Sequence, residues 1–424
     1  MLWLKSLVPE LRPIHYGGRV FWGIRWVNPF RPTHEPEWMR LDVFLGEQVQ
    51  TLYNAELHRL MGDPSALETI IQIADRLPPN HPLKEKAQKA ALLHGILIAD
   101  WGRLQEGTQQ WLEATLKGLN PQLPPPPEPK DLPPLQGTQA QRPADELRRW
   151  MKEYWRQEMG KKWLDWALEL HGSDKRSTIK DKIVSKLTDR LLADKEFVEA
   201  LLQSPLITVP PHDALKDKAA FRSLAYGVID GLVGVWAQTA SDKHPLAWAL
   251  QIAIAQEFGL KNGYEAILQR LNQLDKEEAP GIIQRTAFLY NTLKPILHKY
   301  VRAVYDETQE FLERSGLERL CLVRGLKLPE RLAANLSEQH FTPFKAPFLP
   351  ASSWTLEYWI AEEFATESKA WEELGESTIY YIEIPKEAFR RILSTSLTGW
   401  GCYTESEFGL LSDGEQEVLA ALID

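Results

Sequence analysis

A proline-rich segment places the strongest constraint on how this chain of 424 residues can fold. Residues 121–143 hold nine of the 29 prolines, and four of these are consecutive. Proline fixes φ and has no amide hydrogen, so the segment can continue neither a helix nor a central strand. We predict an extended polyproline linker over residues 120–144, and a ligand for a polyproline-binding domain is the alternative.

A helical domain with an aromatic arm is predicted before this linker, over residues 1–119. From residue 41 onwards apolar residues recur at helical spacing, as in ALETIIQIADRL. The first 40 residues form either an irregular arm or a short strand pair in GRVFWGIRWV. This arm either packs on the first helices or docks a partner, because exposed aromatic side chains mark interfaces. Its aromatic residues are Trp3, Tyr16, Phe21, Trp22, Trp26, Phe30 and Trp38.

Residues 145–282 are predicted to form a second helical domain. The stretch DELRRWMKEYWRQEMGKKWLDWALEL places apolar and aromatic residues near the helical period, with Arg and Lys between them. This pattern is typical of a solvated basic face over an aromatic core stripe. A helix that binds nucleic acid over residues 148–162 is the alternative.

Residues 283–424 predict a C-terminal α+β domain. The stretch IIQRTAFLYNTLKPILHKYVRAVYDETQEFLERSG predicts a long helix that ends at Gly316, because glycine commonly follows a helix C-terminus. The stretches LERLCLVRGLKL, STIYYIEIP and SEFGLL are short, rich in β-formers and bounded by Gly or Pro. The predicted fold class is therefore multidomain, mostly α in the N-terminal and middle regions and α+β at the C-terminus.

Charge and cysteine content exclude several classes of protein. Residues 291–424 carry 13 basic and 22 acidic side chains, which accounts for the whole net charge of −9. An acidic C-terminal third argues against a track for nucleic-acid phosphates there. Cys321 and Cys402 are too few for a disulfide framework and are predicted to be reduced thiols.

The motifs that the sequence lacks and the composition of its N-terminus exclude further classes of protein. The chain has no Rossmann glycine motif, P-loop, HExxH or Cys/His zinc spacing, and we expect no metal. Charged residues interrupt the apolar N-terminus, and no apolar run is long enough to span a membrane. We therefore expect no signal peptide and no membrane partner, and a location in a reducing cytoplasm or release from one by a route that needs no signal.

Polar residues occur at unusual positions in two predicted strands of the last domain. Arg324 lies within the apolar strand CLVRGLKL and is followed by Gly325. Burying an unpaired guanidinium is costly, so Arg324 either forms a salt bridge in the core or clamps an anion or amide. Ser353 and Thr355 alternate on a strand, so their hydroxyls share one face, although such pairs also occur at ordinary strand edges.

Two glutamates, Glu405 and Glu407, are expected at the start of another apolar strand. Their spacing predicts carboxylates on the same side, which is unfavourable unless a cation or a cationic transition state lies between them. A solvated, frayed start of the strand is the alternative. Trp400 and Tyr403 precede the pair in a glycine-rich turn that is typical of a substrate loop.

Taken in order, Arg324, the stretch 353–355 and the stretch 405–407 resemble the motifs of mono-ADP-ribosyltransferases of the Arg–Ser–Glu type. The resemblance covers about residues 285–424, with a helical lead-in from about residue 145 that is similar to phage and prophage members. The middle motif departs from the family pattern, because Trp and Thr stand where the family has Thr and Ser.

A second pair of glutamates lies downstream, at Glu415 and Glu417. We expect this pair to open a final short helix, EQEVLAALID, capped by Asp413. The first pair is preferred as the family motif because it follows the aromatic turn and leads into a strand.

The resemblance implies a split β-sheet domain that transfers ADP-ribose from NAD to a protein side chain, with arginine as the acceptor. Glu407 would stabilise an oxocarbenium-like transition state, Ser353 would hold Glu407 by a hydrogen bond, and Glu405 would orient and deprotonate the acceptor. The implied NAD-binding residues are Arg324, Gly325, Ser353, Thr355 and Trp371, and those lining the acceptor side are Trp400 and Tyr403. Trp371 would stack on nicotinamide, and a place in the core is the alternative for it.

The implied partner is a target protein, expected to belong to a host. The alternative function is a structural or adaptor protein of a phage virion that carries a transferase-like fold. The long helical N-terminal part, the aromatic arm and the linker would suit such an adaptor, through contacts with other phage structural proteins. Nucleic acid is not an expected partner.

Overall fold

The computed structural model describes most of the chain after residue 104 and parts of it before. Two compact units contain these residues: Met1–Asn120 with Lys195–Gly231, and Pro121–Asp194 with Leu232–Asp424. The four predicted domains stay predictions. The described residues are 8–16, 19–27, 39–40, 68, 71, 74–75, 82–97, 104–135, 141–172, 177–206, 215, 218–236, 244–274, 279–367, 375–399 and 403–423.

Helices dominate the described chain up to residue 315. In chain order they are α1 (Pro82–Leu97), α2 (Glu106–Leu119), α3 (Ala144–Tyr154), α4 (Gly160–His171), α5 (Ile179–Ala193), α6 (Lys195–Gln203), α7 (Lys218–Trp236), α8 (Pro245–Phe258), α9 (Lys261–Asn272), α10 (Ala279–Ser315), α11 (Glu330–Ala333) and α12 (Tyr358–Glu367). A π-helical turn, Trp155–Met159, separates α3 from α4. Gly316, at φ +64°, follows α10, as predicted for the residue beyond a helix end.

The strands of the described residues form two antiparallel sheets. In chain order they are β1 (Val8–Tyr16), β2 (Arg19–Val27), β3 (Met39–Arg40), β4 (Arg142–Pro143), β5 (Arg319–Pro329), β6 (His340–Pro347), β7 (Ala351–Thr355), β8 (Gly375–Pro385), β9 (Ile392–Thr395), β10 (Glu407–Leu411) and β11 (Glu415–Leu422). The described chain contains no helix that is both long and apolar enough to cross a membrane.

The first unit contains a small sheet and a helix pair. The stretch GRVFWGIRWV contributes the single strand β2, and its partner is β1, in a register that places Val8 opposite Val27. The prediction of a strand pair within that stretch is therefore right in type and wrong in extent. Helices α1 and α2 pack closely, since a Cβ at Gly95 would lie 2.3 Å from the Leu112 side chain.

The described part of the proline-rich segment, residues 121–135, forms neither helix nor strand and belongs to the second unit, and its role as an extended linker stays a prediction. Its backbone carbonyls accept hydrogen bonds from side chains of that unit, which satisfies groups that prolines leave without helical or sheet partners. The side chain of the first residue in each pair donates to the carbonyl of the second: Asn291 to Gln122, Tyr264 to Pro124, Gln256 to Pro125, Arg391 to Pro133 and Gln416 to Leu135.

An eight-stranded sheet in the C-terminal half gives the second unit its mixed α+β character. The strand order is β4-β6-β11-β8-β5-β7-β10-β9, and neighbouring strands are antiparallel. The predicted strands around Arg324, Ser353 and residues 377–385 are present as β5, β7 and β8. Cys321 is a free, buried thiol in β5, whereas Cys402 lies outside the described residues.

Aromatic residues of α3 and α4 pack against this sheet, as the periodic pattern predicts. The ring of Trp150 packs edge-on against that of Tyr381, with 6.2 Å between the ring centroids. The ring centroids of Trp163 and Phe408 are 5.6 Å apart. The basic residues between them, such as Lys152, are exposed. The stripe therefore belongs to the core and the charged residues to the solvated face of α3.

The predicted final helix after Asp413 is wrong, because residues 415–422 form β11 between β6 and β8. Val418 and Leu419 are buried there, so cross-strand pairing and burial outweigh the helix propensity of the stretch. Asp413 accepts instead from the backbone amide of Gly263 over 3.0 Å, in the first turn of α9.

Candidate functional site

Three adjacent strands bring the predicted site residues together. Arg324 lies on β5, Ser353 on β7 and Glu407 on β10, and these strands are consecutive in the sheet. Thr355 is the cross-strand partner of both Val323 and Glu407, so β7 connects the other two strands at the level of the site. Three residues that are far apart in the sequence thus lie on neighbouring interior strands of one sheet.

Arg324 is tied to β7 by a hydrogen bond. Its Nη1 donates to the backbone carbonyl of Ser353 over 2.8 Å, and its cross-strand partner on β8 is Tyr380. Burial lowers the pKa of the Arg324 guanidinium, while the nearby acidic groups of Tyr380 and Glu407 act in the opposite direction. The guanidinium is therefore a largely desolvated cation that interacts electrostatically with Glu407, and its further N–H groups are able to bind an anion.

Gly325 allows α12 to lie directly on β5. A Cβ at this position would be 1.7 Å from the carbonyl oxygen of Ala361 and 2.8 Å from the amide nitrogen of Ala365. Any side chain would displace the helix backbone, so the glycine beside Arg324 is required by close packing. The role of Gly325 in binding NAD stays a prediction.

Glu407 is the first residue of β10 and is held by its backbone. Its amide donates to Ser396 Oγ over 3.2 Å, and its carbonyl accepts from the Ser396 amide over 2.9 Å. The residue is only 8% exposed. Ser353 lies opposite Gly409, two residues beyond Glu407, so the hydrogen bond expected between Ser353 and Glu407 stays a prediction.

The expectation that Glu405 and Glu407 share one side of a strand is wrong. Glu405 ends a 3-10 turn, Tyr403–Glu405, and the strand begins only at Glu407. Between them Ser406 adopts φ +47°, which turns the chain and removes the two-residue alternation. Burial raises the pKa of Glu405, with smaller contributions from the charges of Glu407 and Glu363, so the carboxylates remain close enough to interact.

Glu357 is a buried site residue that no sequence motif indicates. Its Oε1 accepts a hydrogen bond from Ser406 Oγ over 2.5 Å, and its Oε2 accepts from Trp359 Nε1 over 2.6 Å. Its amide donates to Thr355 Oγ1 over 3.0 Å, and that hydroxyl donates to the Glu405 carbonyl over 2.6 Å. The local sequence T-x-E before a helix suggests only a helix cap. The contact with Ser406 cannot be read from it, because Ser406 lies 49 residues further along the chain.

Part of the predicted site falls outside the described residues. This applies to Trp371 and Trp400, and Tyr403 is described only as the start of its 3-10 turn. Within the described ranges, no group of three or more His, Cys, Asp or Glu side chains could hold a metal ion.

Comparison of the chain with protein-family models, with curated proteins and with solved structures found no significant match.

Proposed function

We propose that this protein is a mono-ADP-ribosyltransferase that moves ADP-ribose from NAD to an arginine side chain of a target protein, and that residues 283–424 form a transferase-like split-sheet domain. The observation that carries the proposal is the placement of Arg324, Ser353 and Glu407 on three consecutive strands. Thr355 pairs with Glu407, which carries a buried carboxylate, and with Val323, the residue before the desolvated cation of Arg324.

The chemistry of NAD cleavage suits this pair of charges. Breaking the bond between nicotinamide and ribose develops positive charge at the anomeric carbon, as in glycoside hydrolysis. A carboxylate held in place beside that carbon stabilises the transition state more than the ground state, and the effect is larger where water is excluded. Glu407 fits this role because it is buried and its backbone is fixed on β10.

Arg324 supplies the complementary charge for the dinucleotide. Its guanidinium uses one N–H group on the Ser353 carbonyl, which sets its orientation and leaves other donors for a phosphate. A desolvated guanidinium gains more from pairing with an anion than an exposed one. The half-buried Ser353 hydroxyl lies on the same strand segment and would contact Glu407 or the ribose.

Glu405 is the residue to which we assign the acceptor side of the reaction. It lies outside β10, is partly exposed, and has a pKa raised by burial and by neighbouring carboxylates. A base with a raised pKa is better matched to removing a proton from a strongly basic guanidinium. Separate positions for Glu405 and Glu407 fit separate roles in transfer and in NAD cleavage.

Turnover of labelled NAD by the full chain tests this proposal. Glu407→Gln should reduce both NAD hydrolysis and transfer to an arginine-containing peptide by about 100-fold or more, because the charge that stabilises the transition state is lost. Glu405→Gln should reduce mainly transfer. Glu417→Gln is the matched control, since Glu417 is exposed on β11 and should leave both rates unchanged.

Two results would contradict the proposal. Full activity of Glu407→Gln would remove Glu407 from the reaction. Absence of NAD turnover by the wild-type chain with host lysate and arginine peptides, together with recovery of the protein from virions, would favour the adaptor function instead.

A further inference from the structure

We propose that Glu357 is a positioning residue that holds Glu405 in place through Ser406, and thereby controls transfer separately from NAD cleavage. This inference rests on the proposed function for its catalytic meaning. It extends that function, because neither the motif residues nor the roles assigned to them include Glu357.

The Glu357 carboxylate connects two parts of the site. It is 6% exposed and receives a hydrogen bond on each oxygen, one from Ser406 and one from Trp359. Hydrogen bonds to a buried carboxylate are charge-assisted and therefore strong. Because α12 begins at the next residue, the carboxylate also lies at the positive end of that helix. It is thus a fixed point to which the chain around Ser406 is attached.

Ser406 needs such an attachment because its backbone is strained. A serine at φ +47° is in the left-handed region, which residues other than Gly, Asn and Asp rarely adopt. Such a conformation persists only where its surroundings fix it. Here the side chain is held by Glu357, the carbonyl accepts from the Leu356 amide over 3.3 Å, and the preceding carbonyl, that of Glu405, accepts from Thr355.

Glu407 does not depend on this attachment to the same degree. Its backbone is paired with Thr355 of β7 and hydrogen-bonded at both ends to Ser396, next to β9. Loss of the Glu357 carboxylate should therefore loosen the turn that carries Glu405 and leave Glu407 in its strand. The expected result is a fall in transfer with NAD hydrolysis largely retained.

Two substitutions at Glu357 separate hydrogen bonding from charge. Glu357→Ala removes both bonds. Glu357→Gln can keep both, because its amide oxygen can accept from the Trp359 indole and its amide nitrogen can donate to the Ser406 hydroxyl. Recovery of transfer in Glu357→Gln would show that geometry matters rather than negative charge.

Glu307→Ala is the matched control for the loss of a buried carboxylate. Glu307 is 4% exposed and pairs with Lys186 and Arg190 of α5, neither of which is assigned to the site. This variant should lose stability without changing the ratio of transfer to hydrolysis. A general weakening of the fold is thereby distinguished from the loss of one position.

The experiment measures that ratio and amide hydrogen exchange of residues 403–406 in the full chain. For Glu357→Ala we expect the ratio to fall by about 10- to 100-fold, as for a small misplacement of a reacting group, and exchange of that segment to accelerate. Glu357→Gln should retain most of both properties. An unchanged ratio in an active protein would overturn the inference.

Hydrogen exchange keeps the inference separate from the proposed function. If the wild-type chain does not turn over NAD, the proposed function fails, and exchange alone decides whether Glu357 positions the segment that carries Glu405. Accelerated exchange in Glu357→Ala, but not in Glu307→Ala, would support positioning in that case. Unchanged exchange would overturn it whatever the activity.

Discussion

Arg324 Nη1 donates a 2.8 Å hydrogen bond to the backbone carbonyl of Ser353, which joins the β5 cation to the β7 strand. This bond orients the guanidinium. Burial lowers the pKa of Arg324, and the charge of Glu407 acts against that lowering. The cation of the site is therefore held by the backbone of the same strand that supplies Ser353 and Thr355. Its planar group can make this bond and still present donors to a phosphate.

Arg324→Lys should raise the KM for NAD by about 10-fold or more, because one ammonium cannot reproduce the fork that bonds the carbonyl and a phosphate together. The kcat for hydrolysis should change less, since Glu407 is intact. Arg319→Lys is the matched control, as Arg319 is exposed on the same strand and pairs with Glu383. Steady-state kinetics would check this, and equal KM values for both variants would contradict it.

Gly325→Ala should destabilise the second unit. The added methyl group would lie 1.7 Å from the Ala361 carbonyl, so α12 must move away from β5, at a cost of about 3 kcal/mol. Gly234→Ala is the control, because a Cβ in α7 at that position meets nothing within 4 Å and alanine favours a helix. Chemical unfolding followed by circular dichroism measures both. A Gly325→Ala protein as stable as the wild type would rule out the close contact.

The site strands could be predicted from sequence because their signals are local. Arg324 lies in an apolar run rich in β-formers, and Ser353 lies in a short run ended by a helix-favouring stretch. The structure confirms both strands and the end of α10 before Gly316. Their order in the sheet could not be derived, because antiparallel pairing between distant segments has no local signature.

The errors of prediction have long-range causes. The stretch 415–422 contains good helix formers, yet pairing with β6 and β8 makes it a strand. Glu405 was expected on a strand because a left-handed serine at position 406 cannot be recognised from its residue type. No local signal identifies Glu357, because its place in the site depends on a hydrogen bond from Ser406, which lies 49 residues away and is adjacent only in the fold.

Glu307→Gln should lower the free energy of unfolding of the second unit by about 2 kcal/mol, because Glu307 is a buried carboxylate that receives Lys186 and Arg190. The cost should stay below that of a fully buried pair, since both cations are partly exposed. Glu310→Gln is the control on the same helix, and its exposed pair with Arg190 should contribute about 0.5 kcal/mol or less. Equal losses in urea unfolding would show that burial of Glu307 is not decisive.

Transfer and hydrolysis should differ in their dependence on pH. Glu405 must be deprotonated to act as a base, and its pKa is raised by burial, by Glu407 and by Glu363. As the pH falls, Glu405 therefore takes up its proton at a higher pH than an ordinary glutamate would, and transfer is lost there. Hydrolysis, which needs no acceptor, should persist to lower pH. Initial rates of both reactions across the acidic range would measure the two limbs.

Glu363→Gln should move the acidic limb of transfer to lower pH, because it removes one of the negative charges that raise the pKa of Glu405. The shift should be a fraction of a pH unit, since Glu363 is exposed and its effect is screened by solvent. Glu387→Gln removes an exposed carboxylate from the turn before β9 and should leave the limb unchanged. A limb that moves in neither variant, or in both, would mean that a group other than Glu405 titrates in transfer.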